Sequence, residues 1–409
     1  MHIIRTLATL PRDISSLPRS IRWIAFVMFL YYLGWGIVEP FLGIYFNDLL
    51  GSYTSVGIIF SLLYFFSIFL SLPFGDLADN VSKRTIITLM LICYIPIGPV
   101  IAALRTITDA VFFRLYHAFL ATGLWASTEA YVRSHSPRKQ SSESMGVFDM
   151  AVAGASVFGA LIGGFLVVRF GIHTLFYMMP AFSIMALITI LRLPDSDGTF
   201  SLWKGVREIV RQGLFRHEFQ DFFSIPGIAH MTALSFLFNV VGAGVAILLP
   251  LVYRAFGVSL WEIGLIYAVF MMPAFFEVPF SVLADRTNKR VLFIVGSLAA
   301  VGIELCMVWT HSVFVLFALS LALGTVFALL RPLIEGVITN CMPHERMGEL
   351  NGVYRSFILL ALAFGSFIIG PVADAFTVQA PFLIGAILMG IFFVLVLFIP
   401  RSLLQTETT

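Results

Sequence analysis

Apolar segments long enough to cross a lipid bilayer occupy most of this sequence. A membrane-spanning helix needs about 20 consecutive apolar residues, and twelve stretches reach that length. Only 12% of the residues are charged, whereas soluble domains carry about 25%, so lipid must solvate part of the apolar surface. The sequence therefore predicts an all-α polytopic membrane protein with twelve transmembrane helices. The predicted spans are residues 22–47, 54–74, 85–104, 109–133, 144–168, 173–193, 228–253, 260–280, 291–310, 313–340, 350–373 and 378–399.

The positions of the basic residues predict how the helices are oriented. If both termini face the cytoplasm, all but six of the 25 Lys and Arg residues fall on the cytoplasmic side. Basic residues concentrate in cytoplasmic loops, so both termini are predicted to be cytoplasmic, and the compact loops suit a bacterial inner membrane. The six exceptions are Arg105, Arg169 and Arg254 in the opposite loops and Arg114, Arg331 and Arg355 within predicted helices.

A ten-residue motif occurs twice, 206 positions apart. Residues 75–84 are GDLADNVSKR and residues 281–290 are SVLADRTNKR. Twelve unrelated helices would not share one offset, so the sequence predicts two parallel six-helix repeats. Such duplications are typical of secondary transporters, with the binding site near the membrane midplane between the halves. The same offset relates Pro73 to Pro279, Glu129 to Glu335, Pro137 to Pro343, Gly146 to Gly352, Gly159 to Gly365 and Gly164 to Gly370.

The duplication sets the predicted domain boundaries. The first bundle is expected at residues 22–193 and the second at 228–399. The connection at 194–227 is expected to contain an amphipathic helix that lies on the membrane surface. Residues 1–21 and 400–409 are predicted to be a cytoplasmic leader and tail.

The repeated motif resembles a family signature. The residues that match it are Gly75, Leu77, Ala78, Asp79, Lys83 and Arg84 in the first copy and Leu283, Ala284, Asp285, Arg286, Lys289 and Arg290 in the second. The signature is the loop G-x-L-A-D-(basic)-x-G-(basic)-(basic) between helices 2 and 3 of major facilitator superfamily transporters, and Asn80, Ser82, Ser281 and Asn288 depart from it. The chain resembles this family over essentially its whole length, which implies alternating access and a gate at these loops.

The charges around the two motifs predict a cytoplasmic gate. Asp79 can meet the positive N-terminal end of helix 11, where Arg355 can complete a charge pair. Lys83 and Arg84 are in reach of Glu129 near the cytoplasmic end of helix 4. The second copy repeats the arrangement with Asp285, Lys289, Arg290 and Glu335. These contacts would hold the cytoplasmic side closed and break when it opens; fixed structural contacts without switching are the alternative.

Glu39 in helix 1 is the first candidate for proton coupling. A charge at membrane depth costs at least about 2.5–3.5 kcal/mol, so each intramembrane carboxyl needs a reason. Removal from water favours the protonated form of a carboxyl group, and we expect Glu39 to carry the coupling proton. A structural carboxyl and a substrate contact are the alternatives. The helical face that it shares is aromatic, small and polar, and contains Tyr32, Trp35, Gly36, Gly43 and Asn47.

Arg114 in helix 4 is the expected partner of Glu39. It begins the sequence RLYHA, which resembles the family pattern R-x-x-Q-G. The resemblance implies a part in proton transfer, and a fixed positive charge helps a neighbouring carboxyl to release its proton. His117, one turn further on, can add a titratable group; a hydrogen-bonded histidine without a coupling role is the alternative.

The second half offers further candidates. Asn239 is expected to line the cavity, and Arg331 is expected either to reach it or to be neutralised by Glu335 four residues later. Glu277 lies near the cytoplasmic end of helix 8. Glu304, near the external end of helix 9, is expected to reach the membrane surface or to be paired.

The spans contain few amide side chains but many aromatic ones, including most of the 42 phenylalanines. This composition favours a lipophilic or amphiphilic substrate, and a glycine pattern in helix 5 (Gly146, Gly159, Gly163 and Gly164) is similar to that of proton-coupled exporters. Proton-coupled export is therefore the leading hypothesis. The alternatives are uptake of a small organic anion held by Arg114 and Arg331, and a sensor or scaffold that does not transport.

Other classes of protein are not favoured. The sequence contains no H-E-x-x-H, G-x-S-x-G or P-loop pattern, so we expect neither an enzyme nor a cofactor. The net charge of +2 with no basic block does not predict nucleic-acid binding. The expected partners are a small-molecule substrate, protons and the lipid bilayer, and family resemblance implies a monomer.

Overall fold

The computed structural model describes residues 17–137, 140–194, 216–277, 279–280, 283, 287–343, 346–400 and 403. All regular secondary structure within these residues is helical. The helices are α1 (Arg19–Gly36), α2 (Glu39–Leu50), α3 (Tyr53–Asn80), α4 (Lys83–Tyr94), α5 (Ile97–Ala102), α6 (Ile107–His135), α7 (Ser141–Phe170), α8 (Ile172–Ile190), α9 (Arg216–Ser224), α10 (Ile228–Ala255), α11 (Leu260–Met271), α12 (Lys289–Trp309), α13 (Val313–Cys341), α14 (Met347–Ala375) and α15 (Ala380–Leu397).

Most of these helices have the length and composition of membrane spans. Among the described residues, ten helical segments are long and apolar enough to cross a membrane, and Leu260–Phe276 is a shorter apolar helix. α6 has the length of a span at 29 residues, but it is more polar because it carries Arg114 and His117.

The first predicted span is broken where the site begins. Pro40 has no N–H to continue the helical hydrogen bonds, and α1 ends at Gly36 while α2 starts at Glu39. The break places Glu39 in the first turn of α2, where the helix dipole favours an acidic group.

The helices pack into two compact units. The described residues within Met1–Leu50, Phe66–Gly213 and Ser259–Ala268 form unit 1, and those within Gly51–Phe65, Leu214–Val258 and Val269–Thr409 form unit 2. The start of α3 therefore packs in unit 2 and the start of α11 packs in unit 1. The predicted domain boundaries stay a prediction.

Small residues make equivalent helix crossings in the two units. In unit 1, a Cβ added to Gly264 of α11 would lie 2.7 Å from the Ala160 carbonyl oxygen of α7. In unit 2, a Cβ added to Gly57 of α3 would lie 2.7 Å from the Ser366 carbonyl oxygen of α14. Ala160 and Ser366 are related by the 206-residue offset, so both repeats use the same position for a close backbone approach.

At the crossing of α3 and α14, an acidic side chain of one helix also bonds the start of the other helix. Asp374, at the end of α14, accepts hydrogen bonds from the backbone N–H groups of Tyr53 and Thr54 and from the Ser52 hydroxyl, at 2.8–3.0 Å. It therefore caps the N-terminus of α3 from another helix. The start of α11 is capped within its own chain segment, where Glu262 accepts from Ser259.

The predicted amphipathic helix of the connection lies mostly outside the described residues, as do most of the leader and the tail. The described end of the connection is α9, which packs on unit 2. Phe222 is buried and stacks on Phe357 of α14, and Asp221 forms an ion pair of 2.7 Å with Arg346.

Candidate functional site

Glu39 contacts a residue from the second half of the sequence. It is partly buried, and the Tyr267 hydroxyl of α11 donates a hydrogen bond to its carboxyl group. Both residues belong to unit 1 because the start of α11 packs there. The sequence analysis did not identify Tyr267, since only packing shows that α11 approaches α2.

Arg114 is buried in an aromatic environment. It is 1% exposed, and its guanidinium carbon lies 5.3 Å from the centre of the Phe46 ring and 5.5 Å from that of Phe113. Its Nη1 atom lies 3.3 Å from Nδ1 of His117. In a neutral imidazole, this nitrogen can accept a hydrogen bond from the guanidinium group. These contacts stabilise a buried cation through the faces of aromatic rings and through the polar imidazole.

His117 lies between Arg114 of α6 and Trp35 of α1. Its ring centre lies 4.4 Å from that of Trp35 and 5.7 Å from that of Phe113. The imidazole is 3% exposed. The expected one-turn relation between Arg114 and His117 is therefore a direct contact, and Trp35 is part of the same group.

An aromatic surface continues from this group. The Tyr32 ring contacts Trp125 of α6 at 5.8 Å, and Tyr31 contacts Tyr94 of α4 at 4.8 Å. Unit 1 thus places the predicted residues Tyr32, Trp35, Arg114 and His117 among aromatic side chains.

The candidates of the second half form a separate polar group in unit 2. The Asn239 side-chain amide donates to the Ser235 carbonyl oxygen at 2.8 Å, and the hydroxyl groups of Ser235 and Tyr354 are 2.7 Å apart. Neither Ser235 nor Tyr354 was predicted, because serine and tyrosine carry no formal charge that marks them in an apolar helix.

Arg331 pairs with two carboxylates. Its guanidinium lies 3.4 Å from Glu277 and 3.6 Å from Glu335, and its side chain is 54% exposed. The pairing with Glu335, four residues later, is one of the two alternatives considered for Arg331. Glu277, which was expected to lie near a helix end, makes the other contact with Arg331.

The last arginine of each motif makes the same contact in both repeats. Arg84 donates to the Leu191 carbonyl oxygen at 2.9 Å, and Arg290 donates to the Leu397 carbonyl oxygen at 2.6 Å. Leu191 and Leu397 are also 206 residues apart. Each arginine thus binds the C-terminal end of a helix, α8 or α15, where a positive charge is favoured.

The remaining gate residues are placed as follows. Glu129 pairs with Arg133 at 3.2 Å, a contact that the sequence analysis did not foresee. Lys83 and Lys289 begin α4 and α12; Gly75 lies in α3 and Arg355 in α14. The side chain of Asp79 and the whole of Asp285 lie outside the described part of the structure.

Glu304 differs from its expectation. It neither pairs nor reaches the membrane surface: it is fully buried, and neither carboxyl oxygen has a hydrogen-bond partner among the described residues. The expectation was wrong because α10, α14 and α15 enclose this end of α12, and the sequence of α12 does not show which neighbours cover it.

The sequence was compared with known protein families, and the result agrees with the helix arrangement and the repeated motifs. The sequence profile of the Major Facilitator Superfamily matches residues 24–275 and 231–408. The chain belongs to the major facilitator superfamily. The predicted fold class, the helical membrane fold of this superfamily, and the multi-pass membrane location are thereby confirmed.

Two proteins to which the chain is similar are named as resistance proteins. The chain is 24% identical over 378 residues to the quinolone resistance protein NorA of Staphylococcus aureus, covering 91% of the chain and 94% of NorA. It is 21% identical over 379 residues to the multidrug resistance protein MdtG of Klebsiella pneumoniae, covering 90% of the chain and 89% of MdtG.

A solved structure supports the same superfamily fold. It is a bacterial homologue of the human lysosomal transporter Spinster in an inward-facing, occupied conformation, with a TM-score of 0.76 and 15% identity. The match covers 95% of this chain and 98% of that one. At this identity the likeness concerns the fold alone.

Proposed function

We propose that this superfamily member is a secondary active transporter that exports a lipophilic or amphiphilic small molecule in exchange for protons. The observation that carries the proposal is the position of Glu39. Its carboxyl group lies in the first turn of α2, beside a helix break, and is hydrogen-bonded to Tyr267. A carboxyl group that is hydrogen-bonded to a neutral hydroxyl group at membrane depth binds and releases a proton at a lower cost than one held in an ion pair.

The aromatic surface of unit 1 suits a lipophilic substrate. Tyr32, Trp35 and Trp125 offer flat apolar contact with polar edges, and aromatic rings also bind organic cations through their faces. The names of NorA and MdtG describe resistance to quinolones and to several drugs, which is in keeping with export of such compounds.

Arg114 and His117 are assigned to the proton pathway in this proposal. The buried guanidinium favours the charged form of a nearby acid, and the neutral imidazole beside it can exchange hydrogen bonds with polar groups on that pathway. In the orientation predicted from the basic loops, both termini face the cytoplasm of a bacterial cell. The residues of the two repeated motifs, together with Glu129, Glu335 and Arg355, then form the cytoplasmic gate.

A second candidate function is uptake of a small organic anion. It is supported by the exposed guanidinium of Arg331, since arginine binds carboxylates through paired hydrogen bonds. The two carboxylates beside Arg331 oppose anion binding there, which is why export is preferred.

The proposal is tested with purified protein in proteoliposomes under an imposed proton gradient. Fluoroquinolones, lipophilic cations and small carboxylates are offered one at a time, and their movement is followed with and without a protonophore. Movement of a lipophilic compound against its gradient, abolished by the protonophore, supports export. Movement of a carboxylate alone supports uptake, and no gradient-dependent movement of any compound rejects both.

A further inference from the structure

Glu304 is the one carboxyl group in the described structure that is fully buried and has no hydrogen-bond partner. It lies near the C-terminal end of α12 and faces a cavity of about 20 Å³. The Glu304 carboxyl lies directly over Gly385 of α15: a Cβ added to Gly385 would be 2.6 Å from its Oε2 atom. The glycine therefore leaves the space that the carboxyl group fills.

Among the described residues that line the cavity, no side chain can neutralise a negative charge on Glu304. α10 and α14 present only aliphatic side chains and glycines to the cavity, and α15 adds Pro381 and Phe382 to aliphatic residues and Gly385. Glu304 is the sole titratable group among the residues that line it. The charged residues of α13, Arg331 and Glu335, lie in the C-terminal half of that helix, whereas Glu304 lies beside its beginning.

A water molecule in the cavity would not hydrate a charged Glu304 carboxylate well. A cavity needs roughly 10–15 Å³ to hold one water molecule, which then requires two to four polar partners. The cavity beside Glu304 has the volume for one, but the carboxyl group is its only polar side chain. A charged carboxylate would thus be poorly hydrated here, and the neutral, protonated form fits the site better.

The first repeat shows that the fold does not need an acid at this position. The residue 206 positions before Glu304 is Gly98, and the residues equivalent to Phe382 and Gly385 are Phe176 and Met179. Gly98 of α5 packs closely against Phe176 and Met179 of α8. One repeat fills this contact with glycine and methionine, the other with glutamate and glycine. Because the first repeat makes this contact without an acid, the packing requirement alone does not explain why the second repeat has a carboxyl group there.

We propose that Glu304 is a proton-binding site inside unit 2, separate from Glu39, and that it carries its proton in the conformation described here. The site accepts only a proton, because a cavity of about 20 Å³ with a single polar group cannot complete the coordination of a metal cation. Deprotonation requires α12 and α15 to move apart so that water reaches the carboxyl group. Proton binding at Glu304 does not depend on the proposed transport, whereas its use in coupling rests on that proposed function.

Infrared spectroscopy of the full chain in lipid vesicles tests proton binding directly. A protonated carboxyl group absorbs in its own C=O stretching region, apart from carboxylates and amides. We expect a band there at neutral pH in the wild type and in Glu39→Gln, a weaker band in Glu304→Gln, and no band in the double variant Glu39→Gln/Glu304→Gln. Identical spectra for the wild type and Glu304→Gln would overturn the proposal. Glu304→Met serves as a second variant of similar size if Glu304→Gln does not fold.

Measurements of proton flux and of melting temperature distinguish proton binding at Glu304 from a role of Glu304 in coupling. If Glu304 takes part in coupling, substrate-driven proton flux falls at least tenfold in Glu304→Met while the melting temperature stays equal to or above that of the wild type. A lowered melting temperature would contradict an unpaired acid and indicate a structural partner. If no substrate drives flux in the wild type, the transport proposal fails, and the infrared band still decides whether Glu304 holds a proton.

Discussion

Arg84 and Arg290 occupy equivalent positions in the two repeats and make equivalent hydrogen bonds, whereas Arg114 and Arg331 have no equivalent in the other repeat. The residue 206 positions after Arg114 is Ser320, and the residue 206 positions before Arg331 is Trp125. The repeats therefore keep the contacts that hold helix ends together and differ in where they place charge. The first repeat buries its arginine among aromatic rings; the second exposes its arginine beside two carboxylates.

The difference suggests a division of labour between the repeats. Shared contacts, such as the crossings at Ala160 and Ser366, belong to the scaffold that both copies need. Groups present in one copy only are free to serve proton binding or substrate binding. Glu39, Arg114 and Glu304 are all of this second kind, since residues 245, 320 and 98 at the equivalent positions carry no charge.

The largest expected effect is a difference in transport rate between variants of Arg114 and Arg331. Arg114→Gln removes a buried cation from Phe46, Phe113 and His117, and we expect transport to fall more than about tenfold, or at least ~1.4 kcal/mol in activation free energy. Arg331→Gln removes exposed ion pairs worth about 0–1 kcal/mol, so transport should change less than about threefold. Initial transport rates in proteoliposomes compare the two variants. Equal losses would refute the division, and a loss in Arg331→Gln alone would favour anion uptake.

A second comparison uses two glycines at equivalent positions. A Cβ added to Gly36 would lie 2.9 Å from the Ala155 carbonyl oxygen, whereas Gly242 has open space around it. Gly36→Ala should lower the free energy of unfolding by about 1–3 kcal/mol through overpacking. Gly242→Ala should be neutral or slightly stabilising, because alanine favours a helix over glycine by about 1 kcal/mol. Thermal unfolding in detergent measures both, and a reversed order would show that the crossing of α1 and α7 is not tight.

The third comparison concerns the two capped helix starts. Asp374→Leu removes the acceptor for Tyr53 and Thr54, and loss of a cap costs about 0.5–2 kcal/mol. Hydrogen exchange at the start of α3 should therefore accelerate in Asp374→Leu. In the control, Glu262→Leu, the acceleration should be confined to the start of α11. Unchanged exchange at Tyr53 and Thr54 would mean that Asp374 does not hold α3.

The smallest expected effect is the loss of stability when the arginine contact that both repeats make is removed. Arg84→Gln and Arg290→Gln should each lower stability by about 0.5–1.5 kcal/mol, the usual contribution of one hydrogen bond. Because the two sites lie in separate units, the double variant should show the sum of the two losses. Arg169→Gln, at an exposed position of α7, is the control and should be neutral. A large difference between Arg84 and Arg290 would break the equivalence.

The sequence was sufficient to predict the fold because its two strongest signals are independent of packing. Apolar length and the 206-residue offset can be counted along the chain, and both are reflected in the helices and in the Arg84 and Arg290 contacts. The offset predicted the equivalence of these two arginines but not their acceptors, since helix ends such as Leu191 come near only after folding.

The candidate site was predictable mainly where a residue carried charge or shared a helical face with a charged residue. Glu39, Arg114 and Arg331 stand out in apolar helices, whereas Tyr267 and Tyr354 do not. Glu304 stood out but was interpreted wrongly, because burial of one helix face depends on the neighbours that cover it. A comparison of Glu304 with Gly98 along the offset would have marked this position as a difference between the repeats.

The most direct test of the account is substrate-driven proton flux in vesicles that contain a pH-sensitive dye, measured for Glu39→Gln and Glu277→Gln. Glu39 belongs to the proposed proton site, and Glu277 is an acid that pairs with Arg331. We expect a lipophilic substrate to drive flux in the wild type and in Glu277→Gln, and to drive none in Glu39→Gln. Flux that survives in Glu39→Gln and disappears in Glu277→Gln would place the coupling proton in the second repeat and contradict the account.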